Sequence, residues 1–466
     1  MIEGPDTNRA LLFFVEGAGR LHRTPGVCYR DAIVSRKPAV LHMKQTPQTR
    51  MPGMIASVFL LTGLIFAGAL QGADQRILAS SPDAYQSHEL AGTPSAADSV
   101  DRNAIGLILP MSGRYAAYGK KALDAAVLAA GLFDSRKRTG VKLFIEDSES
   151  DADASRQAVA RLVRRDGVIC VVGPLGAIEA QTAAAEAQQL QVPILPMTSK
   201  EGICEIGPFV FRNFLTAGMQ VRALAGYAVR TLGLSRFAIL YPQDSYGQEM
   251  VRLFRAEILR LGGQIRKVKA YDRTETDFGD EIRFVTGRPV PHSIGFGKDQ
   301  RAEPLPVARP VDFDALFIPD DYERVQMIAP QLAFHDVKDV QLLGTSGWNS
   351  PNLLKGGAQH LEGAVFVDDY FSGGYSLELN DFADSFYAAF AREPEGMDAI
   401  WYDAVAIAVA TVENGRAETR NQFRERLAGI TGYPGVTGKT SFSPSRDADK
   451  ELHLLRVQEG KIVQIR

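Results

Sequence analysis

Two short passages constrain this chain more than any others. One is Ile105-Gly-Leu-Ile-Leu-Pro-Met-Ser-Gly-Arg-Tyr-Ala-Ala-Tyr-Gly119; the other is Val168-Ile-Cys-Val-Val-Gly-Pro-Leu-Gly176, followed by Val192-Pro-Ile-Leu-Pro-Met-Thr-Ser199. In each, a brief apolar run of the kind found in buried parallel strands breaks into a Gly/Pro/Ser loop, with Ala-rich helical segments between. Open α/β sheets bind small ligands at the carboxyl ends of their strands. The next helix leaves its first N–H groups unpaired, so an acceptor oxygen docks there favourably. The loops are therefore expected to hold something small.

The same alternation runs on. Strands are expected at Ile105–Leu109, Lys142–Glu146, Val168–Val172 and Val192–Pro196, with helices at Lys120–Phe133, Asp153–Arg164 and Ile178–Leu190. After the extended segment Phe209–Phe214, a second set follows: helix Met219–Leu232, strand Arg236–Tyr241, helix Gln248–Leu261, strand Gln264–Tyr271, strand Ala315–Ile318, a helix to Phe334 and strand Gln341–Leu343. The strand Gly363–Val367, helices Asp381–Arg392 and Met397–Asn414, and a terminal pair of strands, Thr440–Phe442 with His453–Ile465, complete the chain. Arg288 to Pro310 is rich in Pro and Gly and is expected to be a surface insertion. A chain of 466 residues exceeds the roughly 250–300 at which a single core stops growing. The pattern predicts two α/β lobes.

The amino-terminal part has a different character. From Met43 to Ala73 there is no acidic residue, Lys44 and Arg50 come early, and the chain is apolar from Ile55 to Leu70. That run falls short of the ~20 residues that comfortably span a bilayer, and Ala67-Gly68-Ala69 suits signal peptidase, so 43–73 is expected to be an export signal, with an uncleaved anchor as the alternative. No Cys follows the run to accept a lipid. Residues 1–42 place acids where a signal should begin and are expected to be an overextended or disordered start; 74–103 reads as a linker. Of the cysteines beyond the signal, Cys170 lies mid-strand, where a buried thiol is the commoner state, although export permits a bridge to Cys204. With 52 basic and 55 acidic residues the formal charge is only −3, which leaves no field favouring nucleic acid.

The segment 104–466 resembles the type I periplasmic solute-binding proteins, specifically the branched-chain amino-acid (leucine) binding group. The resemblance rests on Leu109-Pro-Met-Ser-Gly113 with Tyr118-Gly119, Val172-Gly-Pro174, Val192-Pro-Ile-Leu-Pro-Met-Thr-Ser199, Phe211-Arg212, Asp244-Ser-Tyr-Gly247, Thr274-Glu-Thr-Asp-Phe278 and Gly435-Val-Thr-Gly-Lys-Thr-Ser-Phe442, in the family's order. It implies two Rossmann-like α/β lobes with three crossovers near Thr216, Gly373 and Gly438: lobe 1 over 104–216 and 373–437, lobe 2 over 217–372 and 438–466. Ligand would sit between them. Carried over position by position, first-lobe contacts fall on Ser112, Tyr118, Gly173, Pro174, Ala177, Met197, Thr198 and Ser199. Second-lobe contacts fall on Tyr246, Asp320, Asp321, Ser346 and Trp348. The resemblance further implies a small-molecule ligand, a membrane permease as partner, a periplasmic location, and no cofactor. Two positions depart from amino-acid binders, which have a hydroxyl where this chain has Ala177 and an acidic group where it has Ser346. A buried ammonium without a counter-charge costs several kcal/mol, so Asp320 or Asp321 would have to substitute.

Gln331-Leu-Ala, Leu342-Leu-Gly-Thr-Ser and Leu361-Glu-Gly-Ala-Val-Phe366 also resemble the penicillin-binding protein activators, which use the same module to contact a cell-wall synthase. Those are usually lipoproteins, and this chain lacks the lipid-bearing Cys. An enzyme is not expected, because no acid, base and nucleophile converge. Gly344-Thr-Ser-Gly-Trp348 misses the nucleophile-elbow pattern at Trp348, and Gly435–Thr440 lacks the first glycine of a phosphate loop at Tyr433. The five histidines beyond the signal have no metal-type spacing. The acidic run Glu146–Asp153 lacks the Gly and final Glu of a calcium loop and reads as a strand-to-helix turn; Arg161, Arg164 and Arg165 read as a solvated helix end. Tyr118, Tyr246 and Trp348 are either cleft residues or ordinary packed aromatics.

Overall fold

The computed structural model describes residues 13–14, 100–133, 140–287, 310–415 and 417–465. The export signal or anchor expected at 43–73, nearly all of 1–42, the linker up to 99 and the insertion over 288–309 lie outside the described residues. Among the described residues no helix is long and apolar enough to cross a membrane.

The first lobe is a parallel sheet in the order β1-β3-β2-β4-β5. Its strands are β1 (Phe13–Phe14), β2 (Asp101–Leu109), β3 (Lys142–Asp147), β4 (Val168–Leu175) and β5 (Ile194–Met197). β2 begins at Asp101, ahead of the expected start at Ala104. β4 is buried along its whole length, as a central strand covered on both faces must be. On one face lie α2 (Ala152–Arg164) and α3 (Ala177–Gln189); on the other, α1 (Ala116–Ala129) packs against a later helix. Asp151 caps α2 by accepting from Ala154 N at 2.9 Å, which supplies one of the bonds that a helix start cannot make internally.

The second lobe holds a seven-stranded sheet, reached through α4 (Ala217–Arg230), whose cap Thr216 accepts from Met219 N at 3.2 Å. The elements that follow are β6 (Arg236–Pro242), α5 (Ser245–Arg260), β7 (Gln264–Tyr271), α6 (Gly279–Thr286), β8 (Ala315–Ile318), α7 (Tyr322–Phe334), β9 (Gln341–Gly344) and β10 (Val365–Asp368). The chain then returns to the first lobe with α8 (Leu377–Phe390), α9 (Gly396–Gly415) and α10 (Arg420–Ala428), where α9 is the partner of α1.

The carboxyl-terminal part departs from expectation. β11 (Tyr433–Gly435), β12 (Gly438–Phe442) and β13 (Ala448–Lys450) form a small antiparallel sheet, and Phe442 and Ala448 pack into the first-lobe core. The third crossing therefore lies between Lys450 and His453, not near Gly438. Only β14 (His453–Gln458) and β15 (Lys461–Gln464) join the second lobe, giving the order β15-β14-β10-β9-β8-β6-β7. The expected pairing of 440–442 with 453–465 does not form, because β14 pairs antiparallel with β10 and with β15.

Two glycines show how sequence sets geometry at the cleft. A Cβ on Gly119, in the first turn of α1, would sit 2.3 Å from the Pro110 carbonyl oxygen; one on Gly247, in the first turn of α5, would sit 2.1 Å from that of Pro242. Each lobe thus repeats a strand, a proline and a Tyr-Gly pair, with the glycine admitting the helix against the strand end. This close approach lets α1 start four residues before the expected Lys120.

The crossovers are held by a buried ion pair. Lys450 Nζ lies 3.3 Å from Asp369 Oδ2, with both side chains almost fully buried. Lys450 also donates to Thr437, whose N–H donates to Asp403 at 2.8 Å. Removing one member of a buried pair typically costs about 3–5 kcal/mol, because the other charge is stranded. Lys450→Met is expected to lose stability on that scale in urea denaturation, and adding Asp369→Asn should restore part of the loss. An additive double variant would show that the pair contributes nothing as a unit.

Candidate functional site

A cleft of about 690 Å³ opens between the lobes beneath the crossovers, within the range of small-ligand sites. The first lobe contributes Ser199, Lys200 and Glu201 from the loop after β5. The first crossover adds Phe214, Leu215, Ala217 and Gln220, and the second lobe adds Ser245, Tyr246 and Glu249 from the start of α5 and Ser346-Gly347 from the loop after β9. Asp368 and Asp369 line it at the second crossover, and Gly396, Met397 and Ile400 line it from the first turns of α9.

The Ser199 loop is fixed from behind. Arg212 is buried and donates to Asp447 Oδ1 at 2.7 Å, to Glu201 Oε2 at 3.1 Å, and to the carbonyls of Ser199 and Lys200. Thr198 Oγ1 accepts from Lys200 N at 3.2 Å. A guanidinium with several rigid donors suits this role better than a lysine would. On the second lobe, Asp244 caps α5 through Gly247 N at 2.7 Å and also accepts from Arg273, while the Tyr246 hydroxyl donates to Thr345 Oγ1 at 3.2 Å. Ser346 N donates to Gln220 Oε1 at 2.9 Å, so α4 and the Ser346 loop are tied together at the cleft wall.

Of the residues singled out in the sequence, Ser199, Tyr246 and Ser346 are brought together on this cleft. Trp348 is not there. It is fully buried, its indole N–H donates to Ile318 O at 3.1 Å, and a Cβ on Gly344 would collide with its ring. Asp320 is buried below the wall, accepts from the Tyr271 hydroxyl at 2.7 Å and pairs with Arg273 at 3.1 Å. Burial raises its carboxyl despite these partners. Asp321 caps α7 through Arg324 N at 3.1 Å. Neither aspartate is among the residues that line the cleft; both hold the start of α7, Asp320 by accepting from Asp321 N at 2.8 Å and Asp321 as its cap.

The remaining first-lobe positions lie off the cleft. Met197 is in the core, and the Gly173–Pro174 peptide is cis and buried in β4, with Gly173 against the Ile108 carbonyl and Trp401. Ser112, Tyr118 and Ala177 are exposed at the carboxyl ends of the strands. Ser112 N and Met111 N both donate to Asp147 Oδ1, at 3.2 and 3.0 Å, so the acidic run shapes this loop. Glu146 of the same run is buried between Arg161 and Arg165, at 2.7 and 2.8 Å. Those arginines are ion-paired and not merely a solvated helix end. Cys170 and Cys204 are both free and buried, and burial pushes the Cys204 thiol up to about 12. Among the described residues no group of three His, Cys, Asp or Glu is placed to hold a metal ion.

Asp368 and Asp369 were not foreseen. In the sequence they follow a strand as a polar turn would, and nothing local signals that they face a cleft. Asp368 accepts from Asn349 Nδ2 and from Asp369 N, both at 2.8 Å. Burial, together with the adjacent Asp369 charge, holds its carboxyl well above the usual carboxylate range.

Comparison with known proteins places this geometry. A family profile for periplasmic binding proteins matches residues 104–285 and 318–461. The Leu/Ile/Val-binding protein BraC3 of Rhizobium johnstonii is 31% identical over 77% of this chain and 92% of its own. The penicillin-binding protein activator LpoA of Photobacterium profundum is 25% identical over 34% of this chain and 25% of its own. A crystal structure of a candidate branched-chain amino acid ABC transporter from Rhodospirillum rubrum superposes with a TM-score of 0.69 at 23% identity, covering 79% of this chain and all of that one. The chain belongs to the periplasmic binding protein family.

Proposed function

We propose that the protein is an exported solute receptor of an ABC transporter, which closes its lobes on a small polar or amphipathic metabolite such as an amino acid and presents the closed form to a membrane permease. The observation that carries this reading is the cleft lined from both lobes and from the crossovers. Ser199 offers a hydroxyl from one side, and Tyr246 offers an amphipathic ring from the other. A ligand that binds only when both walls are in reach favours the closed state by its differential affinity. The first-lobe loops that carry Ser112, Tyr118 and Ala177 lie off the cleft in the present arrangement, and closure is the motion that would bring them in.

The alternative, a regulator of a cell-wall synthase, has less support. Its similarity spans a quarter of the activator's length, whereas the Leu/Ile/Val-binding relative is matched over 92% of its length. The matched family of periplasmic binding proteins is in keeping with a periplasmic location.

Thermal-shift screening against amino acids, short peptides, amides and aromatic acids tests the proposal. A ligand at 100 times its Kd adds about 2.7 kcal/mol of stability, which raises Tm measurably. No rise with any compound at millimolar concentration would contradict transport. Ser199→Ala is expected to weaken the best ligand by about 1.5–3 kcal/mol if it meets a charged group. Tyr246→Ala should chiefly speed dissociation. Unchanged affinity in both folded variants, measured by calorimetry, would move the ligand elsewhere.

A further inference from the structure

Opposite charges on the two lobes come close without pairing. On the first lobe, Glu201 lines the cleft from the loop after β5 and is half-exposed. Its Oε2 accepts from Arg212 at 3.1 Å, while its Oε1 has no hydrogen-bond donor among the described residues. Arg212 is itself buried and bonded to Asp447 at 2.7 Å, so the carboxylate is held at the cleft edge by one oxygen. On the second lobe, Arg222 lies on the exposed side of α4 and makes no ion pair among the described residues. The two side chains converge over Gly218 in the first turn of α4: a Cβ there would stand 3.2 Å from Arg222 Nη1 and 3.7 Å from Glu201 Oε1. Arg252, on the neighbouring α5, bonds Glu249 at 2.6 Å; that bond raises its pKa, and the Glu201 charge raises it further. The field of Arg222 also reaches Glu257, which is already bonded to Arg260 at 2.6 Å. A carboxylate with one unused oxygen thus faces, across the lobe boundary, one unpaired guanidinium.

We propose that Glu201 and Arg222 form a latch across the lobe boundary: as the lobes approach, the unused Glu201 oxygen pairs with the Arg222 guanidinium, so that closure is favoured by a bridge that needs no ligand and weakens with salt. The inference goes beyond the solute-receptor reading and rests on it only for the effect on affinity. An exposed ion pair is a weak interaction, because water solvates both ends and two long side chains must be ordered. Arg212 lowers that ordering cost, since it already holds the carboxylate by its other oxygen. The latch therefore biases the open and closed forms without locking either. Arg252 is the poorer partner, because Glu249 on its own helix holds it through two bonds, at 2.7 and 2.6 Å, and one of them would have to break. Apparent affinity scales with the fraction of protein already in the binding-competent form, and salt screens the attraction that maintains that fraction. An exported receptor with this latch binds more weakly in saline surroundings, with no change in the groups that touch its ligand.

The test needs no ligand. Spin labels on Gln157→Cys in α2 and Glu323→Cys in α7, in a Cys28→Ser background, report the interlobe distance of the unliganded protein. Sodium chloride is raised from about 20 mM to about 500 mM, which shortens the screening length from roughly 20 Å to roughly 4 Å. The short-distance population is expected to fall as salt rises. At low salt, Arg222→Gln should lower the ratio of short to long distances by roughly two- to fivefold and remove its dependence on salt. Glu201→Gln should do the same, and the double variant should go no further than either single one, as two ends of one bridge require. Arg222→Gln leaves the bonds of Arg212 intact, so it separates loss of the latch from any disturbance of the Ser199 loop. A distance distribution that ignores both salt and Arg222→Gln overturns the latch, and closure by ligand in the same labelled protein would leave the receptor reading standing. A latch that responds to salt in a protein that no small molecule closes sustains this inference and contradicts the receptor reading.

Discussion

Two buried cations hold the three crossings in place, and the lobes depend on them. Arg212 joins the first crossing to Asp447, just before β13, and Lys450 joins the third crossing to Asp369 on the second. A charge removed from water is tolerated only with close partners. The linkers therefore cannot slide past one another without stranding a charge. Asp403 extends the second cluster into α9 by accepting from Val436 N at 2.9 Å and Thr437 N at 2.8 Å. The result is a base whose strands and crossings are tied by buried charged contacts.

Above that base, the lobes repeat one local device. Each brings a glycine in the first helical turn against a proline carbonyl at the strand end, and each places a tyrosine just before it. Tyr118 and Tyr246 are similarly exposed, at 40% and 38%, yet only Tyr246 lines the cleft as it stands. The cleft lies beside the crossings, lined by the start of α5 and by the Ser199 loop, whereas the loop that carries Tyr118 does not reach it. The same geometry accounts for the exposure of the strand-end loops, which a packed core would not leave open.

Much of this was legible in the chain. Periodicity located the strands and helices of both lobes, since buried parallel strands and Ala-rich helices leave strong local signals. Ser199, Tyr246 and Ser346 were found through the family resemblance, whose motifs lie at the ends of such strands and the starts of the turns and helices that follow. Trp348 could not be assigned from sequence, because its placement depends on Gly344 leaving room for the indole. The third crossing was misplaced for a similar reason: β12 pairs with β11 and β13, and strand partners are a long-range property. Asp368 and Asp369 were invisible because what distinguishes them is Lys450, 81 residues beyond Asp369. No local pattern marks which of two adjacent carboxylates will be paired.

The central claim is that the space between the lobes closes on a small molecule. It is tested most directly by measuring the interlobe distance with spin labels on Gln157→Cys in α2 and Glu323→Cys in α7 in a Cys28→Ser background; Cys170 and Cys204 are buried and should leave the labelling selective. A saturating concentration of the best thermal-shift ligand should replace a broad, longer distance distribution with a narrower, shorter one. A distribution that the ligand leaves unchanged would contradict the account.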